Sequence, residues 1–275
     1  MRVVRTATEL ALDGEIGLVP TMGAFHEGHL SLFRAAREEN ELVVASLFLN
    51  PAQFAEGEDL GAYPRDQEQD ARLAEDAGVD VLFVPSAEEI YPPGFETWVE
   101  VEHLGARLEG EHRPGHFRGV ATICLNLFNL VRPRRAYFGQ KDAQQVAVLK
   151  RMVADLDFPL EIRVQPTVRD PDGLALSSRN ARLTPEERQR ALALNAALQT
   201  AAQGGLETGE TVLAEHGIEP EYFAAVDPET FETPGDLIVI AATIGTTRLI
   251  DNAKAATPHR RGADPKGAVS VLPTP

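Results

Sequence analysis

Two histidines, His26 and His29, flank Gly28 in the stretch VPTMGAFHEGHLSL at residues 19–32. A short apolar run over residues 15–19 precedes them, and Leu30, Phe33 and Arg37 follow at helical spacing, so the segment reads as strand, turn and helix. Backbone N–H groups at such a helix start lack intrahelical partners and favour anions, phosphates above all. Imidazoles there could donate to phosphate oxygens, or to charge developing on a phosphorus under attack. Gly23 and Gly28 would let a bulky ligand approach the backbone. Two blander readings compete: surface histidines at a helix end, and a pair of zinc ligands. Zinc is disfavoured, because the spacing is not that of the two-histidine metalloprotease helix and no Cys or carboxylate cluster accompanies it.

Further along, Gly139-Gln140-Lys141-Asp142 forms a turn between a short strand and a helix. A lysine there can clamp phosphate, although the P-loop pattern is absent and a buttressing surface lysine is the alternative. The run DGLALSSRN at residues 172–180 puts Ser177, Ser178 and Arg179 on a loop. Rotatable hydroxyls and a forked guanidinium suit a mobile phosphate-binding lid; a helix cap with a solvated Arg is the other reading.

The string PTMGAFHEGHLSL resembles the H-x-G-H signature of adenylyl-transferring enzymes that share a Rossmann-like core with class I aminoacyl-tRNA synthetases. In its full form it looks like the pantothenate synthetase (pantoate–β-alanine ligase) family. FLNPAQF (48–54), YPRD (63–66), RPGHFRGVAT (113–122), FGQKDAQQ (138–145) and DGLALSSRN (172–180) agree with that family in its order. The last of these looks like the family's counterpart of the synthetases' KMSKS loop. Departures are Phe25 where Leu is usual, Leu176 where Met is common and Gln140 where Glu is frequent; none removes a group that does chemistry.

The resemblance implies a ligase of pantothenate biosynthesis, on the coenzyme A pathway. Pantoate carboxylate attacks the α-phosphorus of ATP, and β-alanine's amine then attacks the adenylate, releasing AMP. It implies an ATP site lined by Met22, Gly23, Ala24, Phe25, His26, Glu27, Gly28 and His29, with His26, His29 and Lys141 catalytic and His29 the proton donor. Gly139, Gln140, Lys141, Asp142, Leu176, Ser177, Ser178 and Arg179 would complete it, with Val168 meeting the adenine through its backbone. Gln53 and Gln145 would bind pantoate, Gln53 also meeting β-alanine; an amide can both donate and accept there. Magnesium is expected with ATP, Asp70 being a weak candidate for a protein contact to it, and the family suggests a homodimer. The alternatives are a nucleotidyltransferase of the same superfamily acting on another small substrate and a non-catalytic nucleotide sensor.

These residues need a scaffold. Residues 42–49 are continuously apolar and stop at Asn50-Pro51, which reads as a strand buried on both faces of a parallel sheet. It delivers Asn50 and Gln53 to the edge where open α/β sheets bind ligands. Residues 66–77 read as helix, 79–84 as strand, 120–131 as helix, 135–138 as strand, 143–154 as helix and 160–168 as strand interrupted by Pro166. This alternation predicts an α/β, Rossmann-like doubly wound parallel sheet. A lead-in helix is expected around residues 6–12. Past Thr184-Pro185 an Ala-rich helix, a weaker helix at 210–216 and strands at 222–226 and 237–242 make a smaller α+β C-terminal lid domain. The boundary falls near Asp170, giving residues 1–170 and 171–275. The final residues, 260–275, are expected to fray.

The chain has 275 residues, 43% of them hydrophobic, ample for such a core. Its net charge of −16 argues against nucleic acid and anionic membranes as partners. Yet residues 107–151 hold nine Lys or Arg against Glu109, Glu111 and Asp142, an acidic shell around a basic patch suited to small anions. For Arg134, Arg135, Lys150 and Arg151 an ordinary solvated face is an equal reading. The single cysteine, Cys124, lies in an apolar run and excludes an internal disulfide. Without a membrane-length apolar run or signal pattern, a cytoplasmic location is expected.

Overall fold

The computed structural model describes residues 1–54 and 59–256, so the expectation for 260–275 lies outside it. Its larger part is a six-stranded sheet ordered β1-β4-β3-β2-β5-β6. The strands are β1 (Arg2–Val4), β2 (Ile16–Thr21), β3 (Leu42–Leu47), β4 (Val81–Phe83), β5 (Arg135–Gly139) and β6 (Glu161–Gln165), and every pairing is parallel. Helices α1 (Glu27–Glu39), α2 (Gln67–Asp76), α6 (His116–Val131) and α7 (Ala143–Asp155) cover its faces, with short helices α3 (Ala87–Ile90), α4 (Glu102–Gly105) and α5 (Glu109–His112) between α2 and α6. Leu18 and Val19, on opposite faces of the central β2, are both fully buried. That two-sided burial is why the strand reads as an unbroken apolar run.

Chain order reverses beside β2. β3 and β4 run to one side and β5 and β6 to the other, which opens a crevice at the carboxyl ends of β2 and β5.

The remaining chain forms α8 (Pro185–Gly204), α9 (Leu206–Glu215) and the antiparallel sheet β7 (Tyr222–Val226), β8 (Leu237–Ile244) and β9 (Thr247–Lys254). Leu194, Ala197, Leu198, Ile238 and Ile240 build its own core. Val226, Phe231, Leu237 and Val239 belong instead to the core of the large sheet, so the two parts share apolar surface.

The sequence reading differs from the structure at several ends. The lead-in helix is only a 3₁₀ turn, Ala7–Glu9. Thr6 and Glu9 satisfy its backbone reciprocally, and with no residue buried it has no apolar face to repay further helix nucleation. α6 begins at His116, directly after the Pro114-Gly115 breaker, rather than at residue 120. β6 stops at Gln165 because Pro166 has no N–H to continue the ladder.

α6 crosses the turn Pro51–Gln53 at backbone contact. A Cβ added to Gly119 would lie 2.3 Å from the Ala52 carbonyl oxygen and 2.7 Å from the Gln53 nitrogen. Gly119→Ala should therefore push that turn aside and destabilise the fold by about 1–3 kcal/mol, as overpacking does. Denaturant unfolding checks this, and an unchanged midpoint would contradict it.

Candidate active site

β2 ends at Thr21, and the chain then makes a tight turn into α1. Gly23 has φ +94° and Ala24 φ +54°, the left-handed region that costs a non-glycine residue strain. Asp70, from α2, holds the turn: its carboxylate accepts from Ala24 N at 2.9 Å and Phe25 N at 2.7 Å. Asp70 is only 3% exposed, and burial raises its pKa against the pull of those two bonds. Both oxygens of the residue considered for a metal contact are thus engaged by backbone. Among the described residues no group of three or more His, Cys, Asp or Glu is arranged to hold a metal.

The two histidines close α1 reciprocally. His26 Nδ1 accepts from Gly28 N at 3.2 Å, and His29 Nδ1 accepts from His26 N at 3.3 Å. This is a capping box with imidazoles where Ser and Glu usually stand. It fixes the chemistry: an imidazole whose Nδ1 accepts, when neutral, carries its proton on Nε2. The rings lie 4.2 Å apart, and both border a cavity of about 210 Å³. Burial, then the charge of Lys141, lowers the His26 pKa to about 4. Burial, then His26 and Lys141, puts His29 well below its ordinary value. The site thus offers two neutral Nε2–H donors.

The glycine between them also has a reason within the protein itself. A Cβ at Gly28 would meet the His26 ring at 2.9 Å, so the residue is small to let the ring fold over the helix start. Gly28 N is also taken by that ring, which leaves the anion-binding part to the imidazoles.

Opposite the histidines, Gln53 is buried beneath α6. Its Oε1 accepts from Asn50 Nδ2 at 3.1 Å, and Asn50 Oδ1 accepts from Tyr91 OH at 2.8 Å. The Gln53 amide is thereby held with Nε2 toward Met22, whose sulfur is 2.8 Å away. Met22, His26, Gly28, His29, Gln53, Gly139, Lys141, Asp142, Gln145, Val168 and Leu176 all line this cavity, as does Cys124. Burial pushes the Cys124 thiol up to about 12, so it serves as apolar wall.

A second cavity of about 280 Å³ opens between the two parts of the chain and shares Lys141, Asp142 and Gln145 with the first. Ser177, Arg179 and Arg182 border it from the loop that precedes α8. Ser178 turns elsewhere, its hydroxyl 3.2 Å from Tyr63 OH. Three more expected residues face away: Glu27 is exposed and paired with Arg34, Phe25 packs on Phe33, and the Gln140 amide bonds Asn252. The Val168 carbonyl accepts from Leu176 N at 3.0 Å.

The basic stretch divides in two. Arg134 and Arg135 pair with Glu15, and Arg151 with Asp155, at the surface. Arg113 and Lys141 face the cavities. Beside them Glu109 takes two bonds from Arg248 of β9, at 2.7 and 2.8 Å, and one from Tyr222 OH at 3.0 Å. Burial raises the Glu109 pKa, but Arg248 and Arg113 outweigh it and leave the carboxyl below its usual range. His116 Nδ1 lies 2.9 Å from the Gln53 carbonyl oxygen, linking this cluster to the first cavity. Sequence reading had the RPGHF stretch in view, but missed Glu109, Arg248 and Asn252, whose partners lie more than a hundred residues away.

Neutral, half-buried histidines set a pH dependence. Their folded pKa values lie below the value of about 6.5 in an unfolded chain, so the unfolded state binds more protons on acidification. Stability should fall between about pH 6.5 and pH 5, where carboxylates are still mostly ionised. His26→Asn keeps a capping acceptor and removes one titration. Chemical denaturation across that range should give a shallower slope for this variant, and identical slopes would contradict the burial argument.

Comparison with known proteins supplies the family. The family model for pantoate-beta-alanine ligase matches residues 1–254. A pantothenate synthetase from Acidobacterium capsulatum is 54% identical over 253 residues, covering 86% of this chain and 85% of that protein. The crystal structure of pantothenate synthetase from Thermus thermophilus has 49% identity and a TM-score of 0.89, covering 93% of this chain and 99% of that one. That of a pantoate-beta-alanine ligase from Francisella tularensis, complexed with beta-gamma ATP and beta-alanine, has 36% identity and a TM-score of 0.84, covering 94% of this chain and 98% of the other. The parallel sheet at a switch point, the histidine pair at its edge and these likenesses agree: the chain belongs to the pantoate-beta-alanine ligase family, the pantothenate synthetases.

Proposed function

We propose that the chain joins pantoate to β-alanine with ATP, through pantoyl adenylate, in the two cavities described above. The observation that carries this reading is the histidine pair at the start of α1, its Nδ1 atoms taken by backbone N–H groups, bordering with Lys141 a cavity also lined by Gln53 and Gln145. In the first step a pantoate carboxylate oxygen bonds to the α-phosphorus and the bond to pyrophosphate breaks. Charge builds on the phosphates, so the need is for fixed donors rather than a protein nucleophile. His26 and His29, each neutral, donate hydrogen bonds to phosphate oxygens rather than transferring a proton, and the Lys141 ammonium attracts the polyphosphate. Ser177 and Arg179 complete the nucleotide site from the loop, with Val168 and Leu176 at the adenine end. Gln53 and Gln145 hold pantoate. In the second step the amine of β-alanine, admitted near Gln53, bonds to the carbonyl carbon. The carbon–oxygen bond to AMP breaks, and AMP leaves with the pantoate oxygen while the amine sheds a proton. Magnesium would accompany ATP, shielding the charge of its phosphates. The engaged oxygens of Asp70 do not fit a direct ligand, and no step here depends on the ion. Residues 171–275 act as the smaller lid domain. A homodimer and a cytoplasmic location belong to the same proposal; no helix among the described residues is long and apolar enough to cross a membrane.

Gly139 supports a nucleotide approaching that turn. A Cβ there would meet nothing within 4 Å in the protein alone, and its φ of −85° is ordinary. The protein has no need of a glycine at this place, whereas a ligand against the turn would.

Product analysis with ATP, magnesium, pantoate and β-alanine, omitting each acid in turn, tests the reaction. AMP and pyrophosphate with pantothenate, in turnover only when both acids are present, is the expected outcome; ADP, or indifference to pantoate, would refute it. His29→Ala should lower the adenylation rate about 10²–10³-fold while changing ATP affinity far less. An unchanged turnover number would remove His29 from the mechanism. Gly139→Ala should shift stability by no more than about 0.5 kcal/mol yet raise the KM for ATP. Equal KM values would mean that nothing binds against that turn.

A further inference from the structure

The Lys141 turn is held from the other part of the chain. Asn252, on β9, is 6% exposed and reaches across to the turn that follows β5. Its Nδ2 donates to the Gln140 carbonyl at 2.9 Å and to the Lys141 carbonyl at 3.0 Å. Its Oδ1 accepts from Gln140 Nε2 at 3.3 Å. Two donors and one acceptor on a short planar group are what a primary amide supplies, and a carboxylate of the same shape would set its oxygens against two carbonyls.

Asn252 is itself fixed. Its N–H donates to Asp251 Oδ1 at 2.8 Å, and Asp251 takes a forked pair of bonds from Arg169 at 2.6 and 2.9 Å. Arg169 follows Val168, which lines the first cavity beyond β6. One segment of β9 therefore ties together the chain beyond β5 and the chain beyond β6, the two sheet-edge turns on one flank of that cavity.

We propose that Asn252 is a positioning residue for adenylyl transfer: it holds the Gln140–Lys141 backbone so that the Lys141 ammonium meets the phosphates in register with the two imidazoles. Asn252 acts through Lys141, all its side-chain bonds going to the Gln140–Lys141 turn although it also borders the second cavity, so the inference rests on the ligase reading of that lysine. The C-terminal part then completes the nucleotide site as well as covering it. A misplacement of about 1 Å at a reacting group can cost on the order of a hundredfold in rate, and the turn carries only short-range bonds of its own, Gln140–Asp142 being a single 3₁₀ turn.

The test is a double-mutant cycle over wild type, Asn252→Asp, Lys141→Ala and the double variant. It is read as single-turnover pyrophosphate release from ATP and pantoate, with KM for both substrates and thermal melting alongside. Alone, Asn252→Asp should slow the step at least about tenfold while leaving the KM for pantoate within about twofold. On the Lys141→Ala background the same change should cost less than about twofold, because residues acting as a unit are non-additive. Effects that multiply, or a wild-type rate in Asn252→Asp, would overturn the proposal. Should Asn252→Asp fail to fold, Asn252→Ala carries the same cycle. Calorimetric ATP affinity in the same proteins tests the clamp apart from turnover. The two readings separate, since wild-type protein lacking pantoate-dependent pyrophosphate release refutes the ligase, whereas additive ATP affinities refute the clamp.

Discussion

The site depends on one constraint: two imidazoles half-buried at a helix start, each giving Nδ1 to a backbone N–H. Burial keeps the rings uncharged, and the backbone bonds decide which nitrogen bears the proton. The surrounding features serve that arrangement. Gly28 leaves room for the His26 ring, Asp70 holds the left-handed turn before it, and the end of β2 brings the turn to the crevice where strand order reverses. Neutral donors suit a polyanion well, since they hydrogen-bond phosphate without forming a fixed ion pair that must be broken on release.

Positive charge is supplied separately and sparingly. The chain is strongly acidic overall, and most arginines of its basic stretch are spent on surface pairs of small energetic worth. Arg113 and Lys141 meet the cavities under restraint. Arg113 lies against Glu109, which Arg248 of the second sheet also grips, and Lys141 sits on a turn bonded to Asn252. Buried pairs of this kind contribute little net stability but penalise any other arrangement, because a lone buried charge is costly. The second part of the chain is joined to the first by such bonds together with the apolar contacts of Val226, Phe231 and Val239.

Much of this is legible in the sequence, for identifiable reasons. β2 and β3 are buried on both faces and declare themselves as apolar runs, while the turns after them carry histidines, asparagine and glutamine that local spacing reveals. What stays hidden depends on distant partners. β1 has three residues at the sheet's edge, two of them exposed, and so shows no pattern. In β9 the alternation expected of a strand is broken where Asp251 and Asn252 are both buried, each satisfied by groups far away in the chain. Asp70 reads as an acid on a charged helix and a weak candidate for a metal contact, since nothing local shows its carboxylate reaching the backbone 45 residues earlier. Gly28 is visible as a glycine, but only the folded ring over it explains why.

The chemistry rests on two neutral, Nε2-protonated imidazoles. Long-range nitrogen–proton NMR of the protein with ¹⁵N-labelled histidine, assigned with His26→Asn and His29→Asn variants, reads that state directly. Near pH 7 both rings should be neutral, with the proton on Nε2 and Nδ1 showing the shift of an acceptor. Finding either ring as imidazolium, or with its proton on Nδ1, would contradict the capping arrangement and the mechanism built on it.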